Sequence, residues 1–144
     1  MDAAAVVERT RSVLLVDWPS REVPDALAQR GLGVISQDGP DTYNAYEPAG
    51  AGVRVTPAAP PEHVDLVYAH RPIDELPDIV ALALTHGAAA VWFQSGRDRS
   101  GAKDPHGCWI PSEEAERARR IVEEAGLAYI DAPYIAEAFA TRSG

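Results

Sequence analysis

The sequence has little that could staple, anchor or electrostatically recruit. Cys108 is its only cysteine, so no disulfide can form within the chain, and the reading is a protein of a reducing compartment. Lys103 is its only lysine; 13 basic residues face 22 acidic ones, for a net charge of −9. Nucleic-acid binders need a basic face, because phosphate contacts supply most of their affinity. Here Arg117, Arg119 and Arg120 are interleaved with glutamates, so nucleic acid is not an expected partner. No apolar run approaches the roughly 20 residues that cross a bilayer, so no membrane is expected. The opening Met1-Asp2-Ala3-Ala4-Ala5 lacks a basic leader and an apolar core, so no signal peptide is read and a cytoplasmic location is expected. No internal repeat and no linker appear, so residues 1–144 read as one domain.

What is present suffices for a core. Hydrophobic residues make up 46% and charged residues 24% of 144 positions, and a chain of this length buries about two-thirds of its unfolded surface. Apolar runs alternate with helical patterns. Val13–Val16, Val34-Ile35, Val64–Tyr68, Ala88–Phe93 and Ala128–Ile130 read as strands. Continuous apolar runs of this kind suit strands buried on both faces of a parallel sheet. Helices are predicted over Ala3–Thr10 with Asp2 as cap, Val23–Arg30, Asp74–His86 with Asp74 as cap, Ser112 to Gly126 with Ser112 as cap, and Pro133–Ala140. Residues 36–61 are rich in Gly, Pro, Asp and Ala and read as a loop with one small strand, Val53–Val55. The expected fold is α/β, with five or six mostly parallel strands and helices on both faces.

In such sheets ligands bind beyond the carboxyl ends of the strands, at the switch point. Those ends carry Asp17 to Arg21, Ser36 to Asp38, His70-Arg71-Pro72, Gln94-Ser95-Gly96 and Asp131. An acidic total does not prevent local binding of a phosphorylated ligand, since one helix N-terminus can hold a phosphate.

The second half carries specific motifs. His63-Val64-Asp65-Leu66-Val67 leads to Arg71-Pro72, then Leu76-Pro77-Asp78-Ile79-Val80. Gly87-Ala88-Ala89-Ala90-Val91-Trp92-Phe93-Gln94 follows, with Gly96 two residues on. This succession resembles the small CoA-binding domain proteins, single-domain relatives of the CoA-binding domain of succinyl-CoA ligases. The resemblance spans nearly the whole chain and is most specific over residues 64–96. It implies a Rossmann-like three-layer sandwich that binds coenzyme A or an acyl-CoA. It further implies a pyrophosphate over the loop Asp17 to Pro24. The implied ligand-binding residues are Asp17, Trp18, Ser20, Arg21, Ser36, Arg71, Pro72, Gln94 and Gly96. Where the family has Gly-x-Ser after the first strand, this chain has Asp17-Trp18-Pro19. Where the family has Asn-Pro after the second strand, it has Ser36-Gln37-Asp38. A cysteine after the last strand is replaced by Asp131-Ala132-Pro133.

The residues themselves leave three readings open. The first is non-catalytic binding of coenzyme A, an acyl-CoA or a related nucleotide at the carboxyl edge of the sheet. The second is a degenerate member that has lost its ligand and engages a protein partner, with Trp18 or the loop 97–111 filling the cleft. The third is a small hydrolase or isomerase using Asp17, His70 or Asp131. Phosphatases with an aspartate nucleophile at a strand tip need a second acid two residues on, where Pro19 stands. Asp104, His106 and Cys108 are metal-capable, but their spacing matches no zinc pattern, and no metal is expected. No catalytic residue is assigned, and the chain reads as a binding module rather than an enzyme. Partners in view are a small nucleotide-type ligand, a protein, or a second copy in a homodimer. Trp92 reads as core, and Glu113 to Glu124 as a solvated helix face.

Overall fold

The computed structural model describes residues 1–94 and 111–141. Its centre is one sheet of seven strands: β1 (Ser12–Leu15), β2 (Gly33–Gly39), β3 (Thr42–Ala49), β4 (Gly52–Ala58), β5 (Leu66–Ala69), β6 (Ala90–Phe93) and β7 (Ala128–Ile130). The helices are α1 (Ala3–Arg9), α2 (Glu22–Gln29), α3 (Leu76–Thr85), α4 (Ser112–Glu124) and α5 (Ile135–Ala140). Strand order is β4-β3-β2-β1-β5-β6-β7. β2, β1, β5, β6 and β7 run parallel, and β3 and β4 add an antiparallel hairpin at one edge.

The short apolar runs form the parallel strands because both of their faces are covered. Val13 and Leu15 of β1, Leu66 and Tyr68 of β5, and Ala90 and Trp92 of β6 pack with α1, α2 and α5. The intervening Leu14, Val67, Ala69, Val91 and Phe93 pack with α3 and α4. Trp92 is fully buried, as expected of a core residue. Asp65 ties the amino ends of β1 and β5 together. Its Oδ2 accepts from the Arg11 and Ser12 amides at 2.8 and 3.3 Å, and its Oδ1 lies 2.8 Å from the His63 ring. Gly87 has φ 69°, and a Cβ there would stand 2.9 Å from His63 Nδ1, so both backbone and space require glycine.

The structure has seven strands, where five or six are expected from the sequence. The difference lies in residues 36–61. β2 runs on to Gly39, and β3 and β4 replace the predicted loop. Pro48 lies past the end of the β2 pairing and Pro57 sits on the edge strand, places where a missing N–H costs little. Gly50, with φ 62°, opens the two-residue turn of the hairpin, where positive φ is needed.

Helix ends also shift. Asp2 caps α1 as expected, accepting from the Ala5 amide at 2.9 Å. Asp74 is not a cap: it lies in a 3-10 turn, Ile73–Glu75, that precedes α3. Ser112 is the first helical residue of α4 rather than its cap, because Pro111 fixes the entry. Among the described residues no helix is long and apolar enough to cross a membrane.

Candidate functional site

Strand order reverses about β1. The chain passes from β1 to β2 on one side and returns through the hairpin to β5 on the other. The carboxyl ends of these three strands therefore splay apart, as at the switch point of open α/β sheets. A solvent-open cleft of about 670 Å³ lies there. Val16, Asp17 and Trp18 line it from β1, Gln37, Asp38, Gly39 and Pro40 from β2, and Arg71 and Glu75 from β5.

Asp17 sits where the chain leaves β1. Its φ is 113°, a region that side-chain-bearing residues rarely enter. It is thus an aspartate on a backbone shaped for glycine. Its Oδ1 accepts from the Trp18 amide at 2.9 Å, and its Oδ2 accepts from Arg71 Nη1 at 3.2 Å. The carboxylate fills, by its own charge, the anion-binding place that the Trp18 amide and the Arg71 guanidinium would otherwise offer. Arg71 also donates to Glu75, at 2.6 Å from Nη2 and 3.1 Å from Nε. Glu75 first, and Asp17 second, raise the arginine pKa above its ordinary value, so Arg71 is a permanent cation held between two acids.

The start of α2 is similarly occupied. Ser20 Oγ accepts from the Glu22 amide at 3.3 Å, Ser20 and Arg21 carbonyls accept from Val23 and Asp25, and Pro24 has no N–H. Glu22 and Asp25 already place negative charge in the first turn. Helix α2 therefore offers a phosphate few free donors.

Trp18 does not fill the cleft. Its ring meets Tyr46 edge-on at 6.2 Å, on the side covered by α2, and leaves the cleft open. Arg21 turns the same way: its guanidinium lies 5.2 Å from the Tyr46 ring centre, bonds Asp25 at 2.7 Å and donates to the Val53 carbonyl. Arg21 and Ser20 therefore brace α2 and the hairpin and do not line the cleft. Ser36 is fully buried and gives its hydroxyl to Asp38 at 2.8 Å. Pro72 is exposed and starts the 3-10 turn.

Gln94 is 1% exposed, and its amide is engaged within the fold. Nε2 donates to the Asp131 and Pro133 carbonyls at 3.1 and 3.0 Å, and Oε1 accepts from the Ile135 amide at 3.2 Å. It clamps the turn into α5. Gly96 and the Asp104, His106 and Cys108 group lie outside the described residues.

Gln37, Asp38, Gly39, Pro40 and Glu75 line the cleft. Gln37 and Asp38 fall in the strand-end segment Ser36 to Asp38 without being singled out as ligand-binding, and Gly39, Pro40 and Glu75 do not figure in the sequence reading.

Of the groups nominated for a hydrolase, His70 follows β5 with its amide donating to the Asp17 carbonyl at 3.2 Å, whereas Asp131 lies apart from both. Asp131 accepts from Tyr129 Oη at 3.0 Å, beyond β7. Three strand spacings separate β7 from β1, roughly 14 Å at about 4.8 Å each. Burial, reinforced by the Asp131 carboxylate, pushes the Tyr129 phenol far above its ordinary pKa, so it stays a neutral donor. Among the described residues no group of three acids, histidines or cysteines could hold a metal.

The fold is α/β, with a cleft at its switch point. Residues 15–137 match the CoA binding domain family, and the chain belongs to it. Prb, the PH1109 protein redesigned for binding, is a solved structure of similar fold. It aligns with a TM-score of 0.60 at 16% identity, covering 98% of this chain and 92% of that one. No curated protein matches at a significant level.

Proposed function

We propose that the protein binds coenzyme A, an acyl-CoA or a related adenine nucleotide in the cleft between β1, β2 and β5, without catalysing a reaction. The observation that carries this reading is the open switch-point cleft in a member of the CoA binding domain family. Arg71 supplies the cation. Its two ion pairs are partly exposed, at 40–42% of each side chain, and such pairs are worth only about 0.2–1 kcal/mol. A phosphate can therefore displace a carboxylate at small cost. Among the described residues no nucleophile stands beside a base in the cleft.

The test is thermal unfolding with and without about 1 mM CoA, acetyl-CoA, ADP and NAD. A ligand at 100 times its Kd stabilises by about 2.7 kcal/mol, which raises Tm by about 5–10 °C in a domain of this size. No rise with any of them overturns the reading.

One observation favours a second reading, a member that has lost its ligand and serves a protein partner. The anion donors of the β1–α2 loop are already engaged by Asp17 and by the start of α2. Absence of any nucleotide-induced rise is the result this reading expects.

A further inference from the structure

Coenzyme A carries a phosphate on its ribose 3′-oxygen. NAD, ADP and dephospho-CoA carry free 2′ and 3′ hydroxyls there. The carboxyl end of β2 bears on that difference. Asp38 lies where the β2–β3 register shifts, between Gln37 and Gly39, and such bulges re-aim side chains. It lines the cleft. Its Oδ2 accepts from Ser36 Oγ at 2.8 Å and from the Asn44 amide, which orients the carboxylate. Among the described residues Oδ1 has no hydrogen-bond partner.

On the nucleotide-binding reading above, we propose that Asp38 receives the ribose hydroxyls of an adenine nucleotide, and that the cleft prefers a free ribose diol to the 3′-phosphate of coenzyme A. The chemistry is direct. A carboxylate only accepts, and a vicinal diol offers two O–H donors; a phosphate offers charge of the same sign instead. In nucleotide-binding α/β sheets, an acid about twenty residues beyond the first strand's loop makes this contact. Among the described residues the rest of the cleft does not compensate a 3′-phosphate. Arg71 is the only cation lining it among them, and it is held by Asp17 and Glu75 beyond β1 and β5.

The test is calorimetric titration of the full chain with CoA, dephospho-CoA and NAD, for the wild type and for Asp38→Asn. Wild type is expected to bind dephospho-CoA at least about tenfold more tightly than CoA, a difference of about 1.4 kcal/mol. NAD is expected to compete with dephospho-CoA. In Asp38→Asn the ratio collapses to near unity, with CoA binding improved. The ratio is internal to each protein, so a modest loss of stability in the variant does not affect it. CoA binding as tightly as dephospho-CoA to the wild type overturns the inference and leaves the nucleotide-binding reading standing. So does a ratio that Asp38→Asn leaves unchanged. Binding of none of the three nucleotides overturns both.

Discussion

The Asp17 carboxylate meets the Arg71 guanidinium at 3.2 Å across the carboxyl ends of β1 and β5. The contact joins a residue on a strained backbone to the only cation that lines the cleft among the described residues. Both consequences can be tested at position 17. Residues held in such φ regions cost on the order of 1–3 kcal/mol, and glycine removes that cost while adding about 0.4–1 kcal/mol of unfolded-state entropy. Asp17→Gly also loses a partly exposed ion pair. The expected net change in stability therefore lies between a loss of about 1 and a gain of about 2 kcal/mol. The variant frees the Trp18 amide and Arg71 for an anion, and CoA affinity is expected to rise on the order of tenfold. Calorimetry and urea unfolding of the same preparation measure the two effects separately.

Arg71→Ala separates binding from stability in the opposite sense. Its side chain is 40% exposed, and pairs at that exposure contribute about 0.2–1 kcal/mol. Tm is expected to change by only a few degrees. Nucleotide affinity is expected to fall at least about tenfold, because the remaining charged residues of the cleft among the described residues are Asp17, Asp38 and Glu75. An unchanged Kd in titration would remove Arg71 from the site.

Gln94→Ala should behave as a core mutation. It strips partners from the Asp131 carbonyl and the Ile135 amide at the entry to α5, while the Pro133 carbonyl keeps the Trp92 indole N–H. Leaving such groups unsatisfied costs about 1–3 kcal/mol each, with partial recovery by water, so a loss on the order of 3 kcal/mol is expected. Tm should then drop by about 10 °C. Weakened ligand binding without that drop would instead assign Gln94 to the ligand.

Asp65 sets part of the acid sensitivity. Burial alone pushes its carboxyl up, but the His63 ring and the Arg11 and Ser12 amides outweigh burial, and the pKa lies below the ordinary aspartate value. The unfolded chain therefore takes up its proton first, near pH 3.9. The stabilisation from Asp65 is present above that pH and is lost as pH falls through the lower folded value. Asp65→Asn is expected to be less stable than wild type at pH 7, with the gap closing below about pH 4. Urea midpoints across pH 3–7 check this; a gap independent of pH contradicts it.

The parallel half of the sheet was legible because its strands are short apolar runs, such as Val13–Leu15 and Val91–Phe93, that only burial on both faces explains. The hairpin was not. Its strands hold Pro48, Pro57 and Gly52, residues that read as loop and are tolerated here because they lie at the edge or beyond the neighbouring strand. Asp38 falls in the strand-end segment Ser36 to Asp38, but without the full length of β2 and the β3 partner nothing showed that it faces the cleft. Asp17, Trp18 and Arg71 were legible from the alternation and from the resemblance together. The roles of Gln94 and Arg21 were not, since a motif position does not tell whether a side chain turns toward a ligand or back into the fold.

The main chain at Asp17 keeps the shape that a glycine would take. Aspartate and glycine codons differ at their middle base alone, A in one and G in the other. One transition thus separates the present loop from a loop of the Gly-x-Ser kind at its first position. Random mutagenesis under selection for tighter CoA capture should recover that transition early, with no rearrangement of the surrounding fold.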